Sequence, residues 1–451
     1  MDASLRAMPP HEAYANTETI AGLIHEALVR GELGRRNEDR PLADVIQPGT
    51  TVLIKPNWVY HRNQAGHGMA CMVTQPEFIL AALDEVLKAR PARVIIGDAP
   101  IQSCNMALLV PDDFRERAAK MAAERGTELK VVDFRRTIVH DDDLAGSVKS
   151  EIRDESRYVL FDTGKDSLLE AVSEPVGCFR VTDYDPAKLA RSHRPGRHLY
   201  LLCREAFEAD LILSLPKLKL HRKAGLTGAL KNLVGMNGDK DYLPHHRAGG
   251  SEAGGDCYPG KSLYKRLAEL SIDMANRRIG TRAYKRWGRL AGFMHARAAG
   301  GPEQGELQGS WYGNDTCWRM VLDLNRILVY GKSDATIADR PQRRLWSLTD
   351  AIVCGQGEGP LSPEPLVIGA VTFSSSAPAA DAIHAALLRL DAQRIPLIRE
   401  SFGRFRWPLA EADEVPVARF GDRQLGCDQV AEELGRAARA PKGWAGRIER
   451  A

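Results

Sequence analysis

The chain has 451 residues, 44% hydrophobic and 27% charged, which is ordinary globular composition and enough for two or three domains or one elaborated α/β domain. Lys and Arg number 62 against 59 Asp and Glu, a net charge of +3 that gives no argument for nucleic acid. The first residues carry neither a basic nor an apolar targeting region and no stretch approaches bilayer length, so a cytoplasmic protein without a membrane span is expected.

In chain order, Glu18 to Arg30 is a polar helix candidate, part of an N-terminal extension over 1–48. TVLIKPNWV reads as a strand ending at Asn57, where Lys55 alternates with Ile54. Thr74 ahead of Pro76 signals a helix cap and first turn, and PEFILAALDEVLKA has apolar residues at helical spacing. ARVIIGDAP is a second apolar strand with Asp98 at its carboxyl end. Strand, helix, strand is a βαβ unit, so the expected fold class is α/β: a mainly parallel, doubly wound sheet with helical insertions. Ligands bind beyond the carboxyl ends of such strands, which puts Asn57, Asp98 and His221 on one rim.

Between Pro111 and Ala209 a helix (Asp112 to Arg125), the strand LKVVDF and a hairpin from Arg157 to Tyr184 are expected. Lys261 to Arg297 holds ten Lys or Arg against two acids, within a basic insertion over about 250–310. It reads as a solvated helical insertion whose long side-chain stems cover apolar surface; the alternative is a basic lid or a site for an acidic partner. Asn314, Asp315 or Thr316 can cap a helix in which Asp323 and Asn325 interrupt an apolar stripe, and Trp311, Trp318 and Arg319 suit a pocket wall. AIVCGQGEGP sets Glu358 between Gly357 and Gly359, either as a ligand-binding loop or as a tight turn. Residues 401–451 look peripheral, with a mobile tail.

The densest segment is Asp210 to His246, DLILSLPKLKLHRKAGLTGALKNLVGMNGDKDYLPHH. Leu211 to Leu215 suits a strand covered on both faces. After Pro216, Lys217, Lys219 and His221 alternate with Leu218 and Leu220, so three nitrogen-bearing groups project from one edge. Thr227 and Gly228 stand at a helix start, with Lys231 and Asn232 in its first turn or so. Free backbone N–H groups and lysines in one small volume suit a carboxylate or a phosphate.

This segment resembles the DUF362 family, a domain of unknown function sometimes fused to iron-sulfur modules. The likeness lies in PKLKLH and TGALKNLVG, together with IKPNWV, VIIGDAP and DAIVCGQGEGP in order, and it covers roughly residues 50–400. The eight cysteines are scattered singly with no C-x-x-C pair, so the chain looks like a member without that module, and a redox role would need a separate iron-sulfur partner or a bound cofactor. Which cofactor, if any, the sequence leaves open.

There is no G-x-S-x-G elbow, P-loop, H-E-x-x-H or Rossmann glycine run. The expected function is therefore an enzyme acting on a small or medium anionic substrate in a Lys/His-lined cleft. Asn57, Lys217, Lys219, Thr227, Lys231 and Asn232 would bind it, and His221, Asp98 and Glu358 would handle protons. A divalent metal on His221, His245 or His246 is a further option, although adjacent histidines point in different directions. The alternatives are a non-catalytic ligand- or cofactor-binding accessory protein, or a redox protein.

Overall fold

The structure is a computed structural model that describes residues 1–139, 150–299, 306–411 and 413–450. Parts of the expected polar stretch (140–149) and of the basic insertion (300–305) lie outside the described residues.

One sheet organises the chain. Its strands are β1 (Thr51–Pro56), β2 (Arg93–Asp98), β3 (Glu128–Asp133), β4 (Leu211–Leu215), β5 (Lys217–His221), β6 (Gly225–Thr227), β7 (Arg344–Glu358) and β8 (Ser362–Ser374). The order is β6-β5-β7-β4-β1-β2-β3, with β8 also on β7. Only β6 and β8 are antiparallel to their neighbours. Ile54 stands beside both Leu213 and Ile96, so the three strands expected in one mainly parallel sheet lie in it, side by side and parallel.

The longer helices are α1 (Thr17–Arg30), α2 (Pro76–Lys88), α3 (Asp112–Glu124), α4 (Leu263–Asn276), α5 (Arg282–Ala299), α6 (Cys317–Tyr330) and α7 (Ala377–Leu387). Side chains alternate across each strand, so the sheet has two apolar faces. Val52, Ile54, Val94, Ile96, Leu211 and Leu213 pack with α1, α2 and α3, whereas Leu53, Ile95 and Ile212 share a cluster with α6 and α7. The sheet is covered on both sides, as a doubly wound α/β fold requires.

Several local expectations fail for identifiable reasons. Tyr158–Asp162 pairs with Arg197–Cys203, and Phe179–Arg180 with His246–Arg247, so no hairpin closes between 157 and 184. Apolar alternation marks these strands but carries no information about distant partners. Thr74 does not cap α2, whose N-cap is Gln75. Its hydroxyl instead donates to the Leu215 carbonyl (2.7 Å) and accepts from Asn57 N–H (2.9 Å), stitching the ends of β1 and β4 together. The C-terminal tail is packed: Trp444 and Ile448 join the cluster beneath α7, and Trp444 Nε1 donates to the Arg222 carbonyl at 2.7 Å. No helix among the described residues is long and apolar enough to cross a membrane.

Candidate functional site

A cavity of about 320 Å³ opens beyond the carboxyl ends of β1, β2 and β5. Asn57, Asp98, Lys219, His221, Thr227, Lys231, Asn232 and Glu358 all line it, joined by Lys223, Lys240, His245 and Asp183. A larger groove of about 740 Å³ between α1, β8 and the 417–423 segment contains none of these residues. We therefore take the smaller one as the candidate site, because it holds the convergent polar groups.

Its floor is a hydrogen-bonded clamp. Lys55 at the end of β1 pairs with Asp98 at the end of β2 (2.8 Å), and Asp98 also accepts from Trp58 N–H (2.6 Å) and Ala99 N–H (2.8 Å). Burial pushes the Asp98 carboxyl up and the Lys55 ammonium down, and their pairing opposes both shifts. Asn232 uses its whole amide: Oδ1 accepts from Lys55 Nζ (3.2 Å) and Asn57 Nδ2 (2.9 Å), and Nδ2 donates to the Lys55 carbonyl (3.1 Å) and Ser214 Oγ (2.9 Å). It positions the rim and has no valence left for a ligand. Gly235 is required here, since a Cβ would stand 1.8 Å from Asp98 Oδ1.

The segment expected to offer free backbone donors does not. Residues Ala229–Asn232 form a helix of one turn, and the Asp381 carboxylate from α7 takes Ala229 N–H (2.6 Å) and Leu230 N–H (3.0 Å). His384 Nδ1 holds that carboxylate at 2.9 Å, and Gly228 is forced because a Cβ would meet Asp381 Oδ1 at 2.0 Å. The anion at this helix start belongs to the protein itself.

Lysines supply the positive charge instead. Lys219 Nζ donates to Asn57 Oδ1 (2.7 Å) and to the Met72 carbonyl. Lys223 Nζ reaches Thr182 Oγ1 (3.1 Å), and Lys240 Nζ the Ala99 carbonyl (2.9 Å). Lys231 Nζ has no hydrogen-bond or ion-pair partner among the described residues, and nearby Thr227 Oγ1 is also buried without one. Burial lowers all four ammonium groups, Lys219 and Lys240 to about 7 and Lys223 to about 8, with help from neighbouring cations at those three; at Lys231 burial alone lowers it.

Two imidazoles face the same space with opposite polarity. His221 Nδ1 accepts from the backbone N–H groups of Lys223 and Ala224 (both 3.1 Å), which leaves the proton on Nε2. His245 Nδ1 sits 2.7 Å from the Leu243 carbonyl and must donate to it, which leaves Nε2 with a lone pair. Burial and the surrounding lysines press both rings well below the usual histidine range, so both are neutral near pH 7.

Lys217 is not in the cavity. It lies on the same side of β5 as Lys219, but nearer the strand start, where Asp350 and the Tyr14 hydroxyl (2.6 Å) enclose its ammonium. Glu358 lines the cavity but is tied to Lys442 N–H (2.8 Å) and Arg222 Nε (3.5 Å), and its glycine-rich segment is a β-hairpin with β8. Asp323 and Asn325 are buried braces: Asp323 accepts from Leu168 N–H (3.0 Å) and Tyr200 (2.9 Å), and Asn325 donates to the Leu230 carbonyl (3.0 Å). Trp311, Trp318 and Arg319 stand outside the cavity. His246 is buried away from it, and no group of three or more His, Cys, Asp or Glu side chains placed to hold a metal occurs among the described residues.

Pattern alone passes over Lys223 and Lys240 as binding groups, and it offers His245 only as a metal ligand, not as a proton-handling group. HRK, which begins at His221, and GDK before the paired histidines are visible in the sequence, but only folding brings these loops over one rim.

No curated protein matches the chain. Among solved structures, a crystal structure of a protein from Thermotoga maritima is similar at 10% identity and a TM-score of 0.34, covering 80% of this chain and 56% of that one. The chain thus spans little more than half the length of that relative. The profile of the family described as "Domain of unknown function (DUF362)" matches residues 52–386, from β1 into α7 and across every residue named in the cavity, and the chain belongs to that family.

Proposed function

We propose that the chain is an enzyme that binds a small or medium anion, a carboxylate or a phosphate, in the 320 Å³ cavity and performs acid/base chemistry on it. The observation that carries this reading is Lys231, whose stem is buried and whose ammonium, open to the cavity, has no protein partner among the described residues, in a space shared with Lys219, Lys223 and Lys240. Burial of its stem disfavours the charged form of Lys231, and an anionic ligand in the cavity would restore it. Lys223, Lys231 and Lys240 hold the anion. Lys219, committed to Asn57 and Met72, adds field rather than direct contact.

Proton handling falls to the imidazole pair. His245 Nε2 offers a lone pair and His221 Nε2 an N–H, so one can accept a proton while the other donates to developing negative charge. His221 is then a donor and not a base, and Asp98, held by three donors, positions the rim instead of exchanging protons. The volume suits a compact substrate better than a polymer.

The test is titration calorimetry with inorganic phosphate, pyrophosphate and citrate on the wild type and on Lys231→Met. Saturable binding of one of them, weakened at least tenfold in the variant, is expected. Binding of all three that is absent, or equal in both proteins, overturns the reading.

A further inference from the structure

We infer that the α4–α5 hairpin docks onto an anionic lipid bilayer, lying in the plane of its surface. The starting observation is that α4 is amphipathic the wrong way round. Its polar stripe, Lys265, Glu269, Asp273 and Asn276, is buried against the body, where Glu269 accepts from Gly249 N–H (2.9 Å) and Asp273 pairs with Arg180 (2.9 Å). Its apolar stripe faces out: Leu263, Leu267 and Leu270 are 72%, 36% and 42% exposed, and Phe293 on α5 is 53% exposed. Leucines at i, i+4 and i+7 form one continuous line, which a helix covered only by water has no reason to keep.

Charge decides what covers them. Residues 261–299 contain ten Lys or Arg and two acids, and both acids lie on the buried face, so the exposed side carries cations alone. The rest of the chain has the remaining 52 Lys and Arg against 57 acids, so the positive charge of the molecule is concentrated on this hairpin. Exposed Arg282, Arg286, Arg289 and Arg297 follow α5 at helical spacing beside Phe293. Neither of the two cavities described above is lined by residues of the hairpin. An exposed line of leucines on one helix, packed beside a helix whose exposed charges are all basic, matches an interface of anionic headgroups over acyl chains. The hairpin also touches the site, because Tyr284 of α5 donates to cavity-lining Asp183 (3.3 Å).

The experiment is co-sedimentation of the full chain with extruded vesicles of phosphatidylcholine alone and of phosphatidylcholine mixed with phosphatidylglycerol. Binding to the mixed vesicles, at least tenfold weaker to the neutral ones and falling with salt, is expected. The triple variant Leu263→Ser, Leu267→Ser, Leu270→Ser should lose binding at an unchanged melting temperature, and Arg286→Ala with Arg289→Ala should weaken it by about 10- to 30-fold. No sedimentation with mixed vesicles, or binding indifferent to the serine variant, overturns the inference. So does a dimer in analytical ultracentrifugation that the serine variant dissociates, or a drop in its melting temperature, since the leucines would then serve a second copy or the fold.

Discussion

Two lysines of one segment have opposite fates, and the difference lies in what surrounds each ammonium. Lys217 is neutralised by Asp350 and Tyr14, so Lys217→Ala strands a buried carboxylate and should cost about 3–5 kcal/mol of stability without altering anion affinity. Lys231 has no such partner among the described residues, so Lys231→Ala should leave the melting temperature unchanged or higher and weaken the anion by roughly 1.5–3 kcal/mol. Denaturant melts and calorimetry on the two variants separate these outcomes; affinity lost on removing Lys217 would show that the anion sits outside the cavity. Gly235→Ala should cost about 1–3 kcal/mol or more, because the new methyl meets Asp98 and Lys55, whose side chains can move aside only by breaking their own hydrogen bonds.

Among elements, the one-turn helix Ala229–Asn232 depends most on a distant partner. Asp381 reaches it from α7 and occupies the donors that a ligand would otherwise have taken. Asp381→Ala should destabilise the protein by about 2 kcal/mol or more, since two buried N–H groups lose their acceptor. It should weaken anion binding as well, because the same turn carries Lys231. A variant with wild-type melting and wild-type affinity would mean that water replaces the carboxylate and the cap is dispensable. The C-terminal tail is a second such element: Trp444→Ala, which empties a core position, should cost about 3–5 kcal/mol in a chemical melt, where a peripheral tail would show no change.

At the scale of the molecule, the cavity lysines tie stability and binding to pH with opposite signs. In the unfolded chain they titrate near 10.4, whereas Lys219 and Lys240 sit at about 7 and Lys223 at about 8 in the fold. Between these values the unfolded chain holds protons that the folded one lacks, so this contribution to stability rises as pH climbs from about 7 to 10 and the penalty is complete below 7. A bound anion favours the charged lysines, so binding takes up protons above pH 7, and affinity should fall as pH rises through 7 and 8. Calorimetry in two buffers of different ionisation enthalpy at about pH 8 measures the uptake; an affinity flat from about pH 6.5 to 9, with no proton exchanged, would remove the lysines from the binding step.

Much of the scaffold is written locally. The apolar runs Val52–Ile54, Val94–Ile96 and Leu211–Leu215 alternate with helical periods, and burial on both faces of a parallel sheet leaves such runs few other arrangements. Strand ends are local features too, which is why the strand-end rule alone puts Asn57, Asp98 and His221 on one rim. What a polar group does there depends on its hydrogen-bond partners, and these come from far along the chain. Asp350 closes Lys217 from 133 residues away, Asp381 fills the helix start from 152, and Asn232 is saturated by strands that precede it. Two backbone N–H groups chose the His221 tautomer, and the Leu243 carbonyl chose that of His245. Periodicity reports which face a side chain occupies, because that follows from backbone geometry. Whether the group is free, paired or saturated follows from long-range packing, and so only the tertiary structure decided which cations remain open to a ligand.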